Sequence, residues 1–210
     1  VKLVEPAICQ VSVCKGRLEK ASGRYTKNLS DLAGLYADDA AFAAALADGD
    51  RMVYEVTEFR PSAATGDLIF GVTRMSPGRI GDEFFVTRGH IHVRADRSEI
   101  YYGESGQGVM LLENPEGEIR ALPIGPREIC YVPPYWIHRS VNVGDADLVM
   151  TFAYPADAGQ DYAIIEKSGG MRSRVVADGA GWKLTDNTQH CPRDRAAIDA
   201  LFAQAPGPQA

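Results

Sequence analysis

The sequence predicts an all-β protein, a jelly-roll barrel or sandwich with a short N-terminal helix and a C-terminal helix, and three observations carry that expectation. Short runs rich in Val, Ile, Phe, Tyr and Thr follow one another from Arg51 to about Tyr154, and such residues suit a pleated, half-buried backbone. Gly, Pro or acidic residues interrupt them roughly every eight to twelve residues, the rhythm of sandwiches and barrels. No helical pattern of the kind that joins parallel strands lies between the runs.

Residues 1–50 are expected to form a strand and helix extension packed on the barrel. Within it DDAAFAAALADGD places acidic residues at the start of a helix over 38–46, good helix formers inside and glycine just past the end. Residues 51–177 are expected to be the barrel, with strand runs MVYEVTEF, DLIFGVTRM, EFFVT, GHIHV, EIYYG, QGVMLLEN, GEIRALP, EICYVPP and DLVMTFAY. NPEG at Asn114 to Gly117 and VGDAD at Val143 to Asp147 read as hairpin turns. Residues 178–210 hold the end of the strand pair SRVVAD and GWKLTD, then a helix whose Ile198, Leu201 and Phe202 share one face. The final APGPQA is expected to fray.

The 210 residues suffice for one domain whose core needs no staples. A formal charge of -6 repels phosphate backbones and anionic membranes, so neither nucleic acid nor membrane is an expected partner. The longest apolar stretch, Ala40 to Ala47, is too short to span a bilayer, and no basic start leads into an apolar run. Cys9, Cys14, Cys130 and Cys191 follow no zinc or redox spacing and read as reduced thiols. A soluble, unprocessed, cytoplasmic protein is expected.

Chemistry concentrates in TRGHIHVRADRSEIYYG, residues 87–103, which holds two of the four histidines. Residues two apart on a strand share a face, so His90 and His92 project together. Glu99 opens the next run, and with RADR as the connection an antiparallel neighbour swings its carboxylate beside both rings. His138, after Pro133 and Pro134 have fixed the backbone entering its strand, lies in the same all-β region; His190 falls outside it. Tyr101 shares the face of Glu99, where it either packs in the barrel or donates to a bound oxygen. Thr73, Thr87 and the Gly89 backbone, just before the histidine strand, offer hydroxyl and amide donors, whereas alternation turns Arg88 away toward solvent.

The segment GHIHVRADRSEIYYGESG resembles the first cupin motif through Gly89, His90, His92, Glu99 and Gly106, and PPYWIHRSVN resembles the second through His138 and Asn142. The longer pattern, Thr73, Pro77, Gly78 and Gly81, then EFFVTRGHIH, SEIYYG, VPPYWIHRSVN and YPADAGQDY, resembles the cupin-type phosphoglucose isomerases. Three positions depart from the usual patterns. The stretch from His92 to Glu99 is longer than in most cupins, Tyr135 stands where glycine is frequent, and Gln160 stands where some members have histidine.

The resemblance implies a cupin barrel and a divalent metal, iron(II) or a similar first-row ion, held by His90, His92, Glu99 and His138. Three imidazoles and a carboxylate equally suit manganese, nickel, cobalt or zinc. It further implies interconversion of glucose 6-phosphate and fructose 6-phosphate in glycolysis or gluconeogenesis, by enediol proton transfer or hydride shift. Glu99 then moves the proton, Tyr54, Tyr154 and Tyr162 face the sugar phosphate, and two chains form a homodimer. The same ligand set also serves iron-dependent dioxygenases, and the scaffold serves sugar-sensing modules without catalysis.

Overall fold

The computed structural model describes residues 3–203, so the APGPQA tail lies outside the described residues. The chain begins with a small hairpin of β1 (Gln10–Ser12) and β2 (Arg17–Glu19), followed by β3 (Gly23–Asn28) and helix α1 (Asp39–Asp48). Then come β4 (Met52–Phe59), β5 (Leu68–Met75), β6 (Arg79–Ile80), β7 (Glu83–Phe84), β8 (Glu99–Ser105), β9 (Gly108–Glu113) and β10 (Ile119–Ile124). β11 (Ile129–Val132), β12 (Ile137–Asn142), β13 (Leu148–Pro155) and helix α2 (Ala163–Lys167) complete the barrel. The pair β14 (Ser173–Asp178) and β15 (Gly181–Asp186) and helix α3 (Arg195–Phe202) close the described chain.

A six-stranded antiparallel sheet runs β11-β8-β13-β5-β4-β3, and a smaller one runs β10-β9-β12. The small sheet is widened by the segment before Ile91, where Val86 bridges Val141 and His90 bridges His138. From β8 to β13 the chain passes from the large sheet to the small one, stays there through β10, and then alternates, large for β11, small for β12, large for β13. That switching is the jelly-roll connection of the expected cupin barrel, and it lets the inner faces of the two sheets share one core. Ile69, Met75, Phe85, Met110, Leu111, Ile137 and Leu148 in that core are all but inaccessible to water.

Outside the barrel, β15-β14-β7-β6 form a third sheet. The β1–β2 hairpin covers part of the large sheet's outer face, where Leu18 packs with Val72 and Val149 and donates its N–H to Thr57 Oγ1 at 2.7 Å. α1 begins at an Asp38 side chain that accepts the Ala41 N–H at 2.8 Å, an N-cap of the kind the acidic pair predicts. α3 is capped in the same way by Asp194 and buries Ile198. No helix among the described residues is long and apolar enough to cross a membrane. The four cysteines are free thiols.

Two sequence expectations require correction. VGDAD does not close a hairpin: β12 pairs with β9 and β13 with β5 and β8, so this corner carries the chain between sheets. Asn142 builds it, its side chain donating to Met75 O and Ala146 O, both at 2.9 Å. GHIHV is not a regular strand either. Gly89 takes the left-handed φ of +75°, which interrupts the extended run, and Ile91 bridges Asp161 rather than continuing the ladder.

Candidate metal centre and active site

His90, His92, Glu99 and His138 are all buried, and one ligating atom from each lies within 4.8 Å of the others. His138 comes from a regular ladder with β9, and its N–H and C=O exchange hydrogen bonds with those of His90 at 2.9 and 3.0 Å. This closed backbone pair sets two imidazoles side by side, ring centroids 4.4 Å apart. Glu99 arrives differently from the expected hairpin: β8 pairs only with β11 and β13 in the large sheet. Its carboxylate meets the histidines across the barrel interior, so the site bridges the two sheets.

Glu99 Oε2 stands 3.0 Å from His138 Nε2, 3.3 Å from His92 Nε2 and 3.8 Å from His90 Nε2. Two ligands each about 2.1 Å from a first-row ion are about 3.0 Å apart at right angles and about 3.4 Å at tetrahedral angles. The His138 and His92 spacings therefore fit a common ion, and His90 stands slightly wider. Tautomers favour the same reading. His92 Nδ1 faces the Arg97 carbonyl at 2.9 Å and His138 Nδ1 the Trp136 carbonyl at 3.1 Å. A carbonyl only accepts, so each Nδ1 carries a proton, and each ring when neutral turns an Nε2 lone pair inward. Buried His90 Nε2 and His92 Nε2 have no hydrogen-bond partner among the described residues; the 3.3 Å His92–Glu99 approach lacks hydrogen-bond geometry. Buried lone pairs and a carboxylate converging on one point call for a cation.

Burial would raise the Glu99 pKa, but the His138 and His92 rings beside its carboxylate outweigh it and hold the carboxyl below the usual range. Burial, then the neighbouring His138, pushes His90 down. Tyr101 is pushed well above the ordinary phenol value, first by burial and then by the Glu99 charge, so its hydroxyl stays protonated at neutral pH.

A cavity opens beside the cluster. His90, Glu99 and His138 line it, and so do Tyr101, Tyr54, Thr73, Thr87, Gly89, Tyr154 and Tyr162. His92 sits behind the lining, its ring 5.6 Å from that of Tyr154. Tyr162 lies 5.8 Å from His90, and Tyr101 5.9 Å from His138, so each imidazole has one tyrosine against it. Burial pushes Tyr54 up to about 12, keeping it a donor. Thr87 Oγ1 accepts the Ser140 N–H at 3.0 Å. A Cβ on Gly89 would sit 2.9 Å from Ile165 and 3.0 Å from Arg139, so close packing as well as φ requires glycine.

Sequence reasoning missed several lining residues. Arg88 is not simply solvated: its guanidinium lies 4.7 Å above the Tyr162 ring and pairs with Glu166. Tyr25, Ser140, Phe152 and Arg139 also line the cavity. Tyr25 comes from β3 in the N-terminal extension, which no motif marks. Gln160, at the departing position, accepts the Tyr162 hydroxyl proton. The long segment after His92 is fastened rather than loose, because Asp157 pairs with both Arg94 and Arg97. That clamp fixes the Arg97 carbonyl which orients His92. Tyr135 adopts φ +70°, so the backbone keeps the left-handed geometry that glycine often supplies, and its N–H donates to Ala95 O at 2.7 Å.

A model of the glucose-6-phosphate isomerase family matches residues 26–193. The glucose-6-phosphate isomerase of Sinorhizobium medicae is 61% identical over 203 residues, spanning 96% of this chain and 95% of that one. A putative glucose-6-phosphate isomerase of Rhizobium meliloti is 58% identical, spanning 97% and 96%. The glucose-6-phosphate isomerase of Thermococcus kodakarensis is 44% identical, spanning 78% of this chain and 86% of the relative.

Proposed function

This chain belongs to the glucose-6-phosphate isomerase family, and from that premise we propose that it interconverts glucose 6-phosphate and fructose 6-phosphate with one divalent ion per chain. The observation that carries the metal dependence is the convergence of three buried imidazole nitrogens on one Glu99 oxygen, two of them in the tautomer that faces a cation. His90, His92, Glu99 and His138 hold the ion, iron(II) or a similar first-row ion, which when bound supplies Lewis-acid stabilisation of negative charge on the substrate oxygens.

Glu99 has two oxygens and two tasks. Oε2 is committed to the histidines, leaving Oε1 of a carboxylate that borders the cavity to carry the proton between C1 and C2. Tyr101, kept protonated by burial, donates to the oxygen on which charge develops. Thr73, Thr87 and the Gly89 amide cradle the phosphate; the amide makes no hydrogen bond among the described residues. Tyr54, Tyr154 and Tyr162 wall the sugar and exclude water. A homodimer is supported by the outward row Ile129 and Tyr131 of edge strand β11 beside Ile100 of β8, 67%, 56% and 42% exposed. The four free thiols support a cytoplasmic setting.

The test strips the metal with chelator, restores iron(II) or manganese, supplies fructose 6-phosphate and follows glucose 6-phosphate with a coupled dehydrogenase while recording oxygen. Metal-dependent product without oxygen uptake is the expected result. No product with any first-row ion would refute the isomerase, and oxygen consumption would point to a dioxygenase on the same ligands. Glu99→Gln should lower kcat by about 10²- to 10⁴-fold with little change in KM.

A further inference from the structure

On β12, His138, Arg139 and Ser140 all border the substrate cavity, and Arg139, whose Nη2 donates to Arg88 O at 2.8 Å, also borders a second cavity. That second, open cavity is bordered by the turn at residues 33–35, by α2 and by the segment leading into β14. Its charged lining consists of Lys27, Arg88, Arg139 and Arg174 against Asp31 and Glu166.

Arg139 differs from the other buried arginines. Arg174 is paired with Glu83 at 2.8 Å and Arg193 with Glu113 at 2.6 Å. Arg88 engages Glu166, and Lys27 faces Asp31 at 3.8 Å. Arg139 is 8% exposed and has no carboxylate in ion-pair range among the described residues. Its one hydrogen bond runs from Nη2 to Arg88 O at 2.8 Å, and its Nε has no partner among the described residues. A guanidinium has five donors in a planar fork that matches carboxylate or phosphate oxygens. Burying it with one carbonyl acceptor and no counter-charge is strongly unfavourable.

We propose that this second cavity is a second anion site, in which Arg139, with Arg88 and Lys27 at the rim, binds a phosphate group, either free or on a small metabolite. The missing counter-charge is then the ligand itself. The site adjoins the metal centre without sharing its ligands: Arg88 and Arg139 border both cavities, whereas His90, Glu99 and His138 border the substrate cavity alone. It is nevertheless joined to the centre through one bond: Arg139 holds the carbonyl of Arg88, the residue between Thr87 and Gly89. Occupancy of the second site therefore bears on the backbone that faces the substrate.

Equilibrium dialysis of the metal-loaded full chain against radiolabelled inorganic phosphate tests this. Arg139→Met should bind one phosphate per chain fewer than the wild type and Arg139→Lys should keep it, while the phosphate that the Met variant still binds is displaced by fructose 6-phosphate. Equal counts for wild type and Arg139→Met would overturn the proposal, as would loss of only the phosphate that fructose 6-phosphate displaces. Competition with glycerol 3-phosphate separates the two sources: tighter displacement than by inorganic phosphate identifies a monoester ligand, and weaker displacement identifies free phosphate. Should Arg139→Met not fold, wild-type crystals soaked in tungstate decide. Anomalous density at the Arg139 guanidinium supports the site, and density confined to the barrel interior overturns it.

Discussion

His138 and His92 supply the same kind of ligand from two differently built regions. His138 belongs to β12, buried along its length and locked to β9 by an unbroken six-residue register. His92 follows a segment with isolated bridges in place of a ladder, and its ring is oriented by a carbonyl from a loop that Asp157, Arg94 and Arg97 hold in place. The regular strand fixes its ligand through backbone geometry repeated at every second residue. The irregular segment needs a dedicated tether, and so the extra residues between His92 and Glu99 support the candidate metal centre rather than ornament it.

The largest expected effect comes from removing a ligand on either side. His138→Gln and His92→Gln should each abolish stoichiometric metal binding, read by metal analysis after gel filtration, while far-UV circular dichroism stays that of the wild type. Full retention of metal by either variant would remove that residue from the ligand set. Next comes a change that loosens the tethered half alone: Asp157→Asn should weaken metal affinity by roughly 10- to 100-fold, the usual consequence of disturbing a ligand's hydrogen-bonded support, with kcat recovering at saturating metal. Unchanged affinity would mean that Arg97 O holds its place without the clamp.

The same tether predicts a pH dependence that the strand half lacks. Hydrogen bonding to Arg97, larger than the opposing effect of burial, lowers Asp157 from 3.8 to about 2. A depressed carboxyl contributes its stabilisation above its unfolded value and loses it as pH falls through the folded one. Hydrogen exchange at the Arg97 amide, which donates to Arg94 O at 3.0 Å, should therefore show constant protection above pH 4, after correction for intrinsic rate, and falling protection toward pH 2. Protection changing between pH 5 and 7 would contradict the assignment. The smallest effect is expected at Tyr135. Replacement by glycine relieves left-handed strain of roughly 1 kcal/mol but removes the ring that packs 5.3 Å from Phe202. Urea unfolding should give a stability within about 1 kcal/mol of the wild type, and a much larger loss would show that the ring outweighs the strain.

Much of the barrel was legible because its signals are local. The caps of α1, the NPEG turn between β9 and β10, and most strands after residue 51 follow from neighbours in sequence. So does the candidate ligand set, since HxH, a following glutamate and a lone histidine behind two prolines are spacings along one chain. GHIHV misled because its composition suits a strand while its position requires the left-handed turn at Gly89. VGDAD misled because a turn motif does not state whether its flanking strands pair with each other.

By itself, then, the sequence determined which residues are candidate ligands, which segments after residue 51 are mostly extended and where α1 and α3 lie. Tertiary structure alone decided that Glu99 meets the histidines from the opposite sheet, that Arg97 O and Trp136 O set their tautomers, and that Arg88 borders the cavity while Arg139 is left without a counter-ion. The physical reason is that side-chain alternation is a property of one strand and can be read along it. Which strands face each other, and which charges end up together away from water, is fixed by closing the whole barrel around its core.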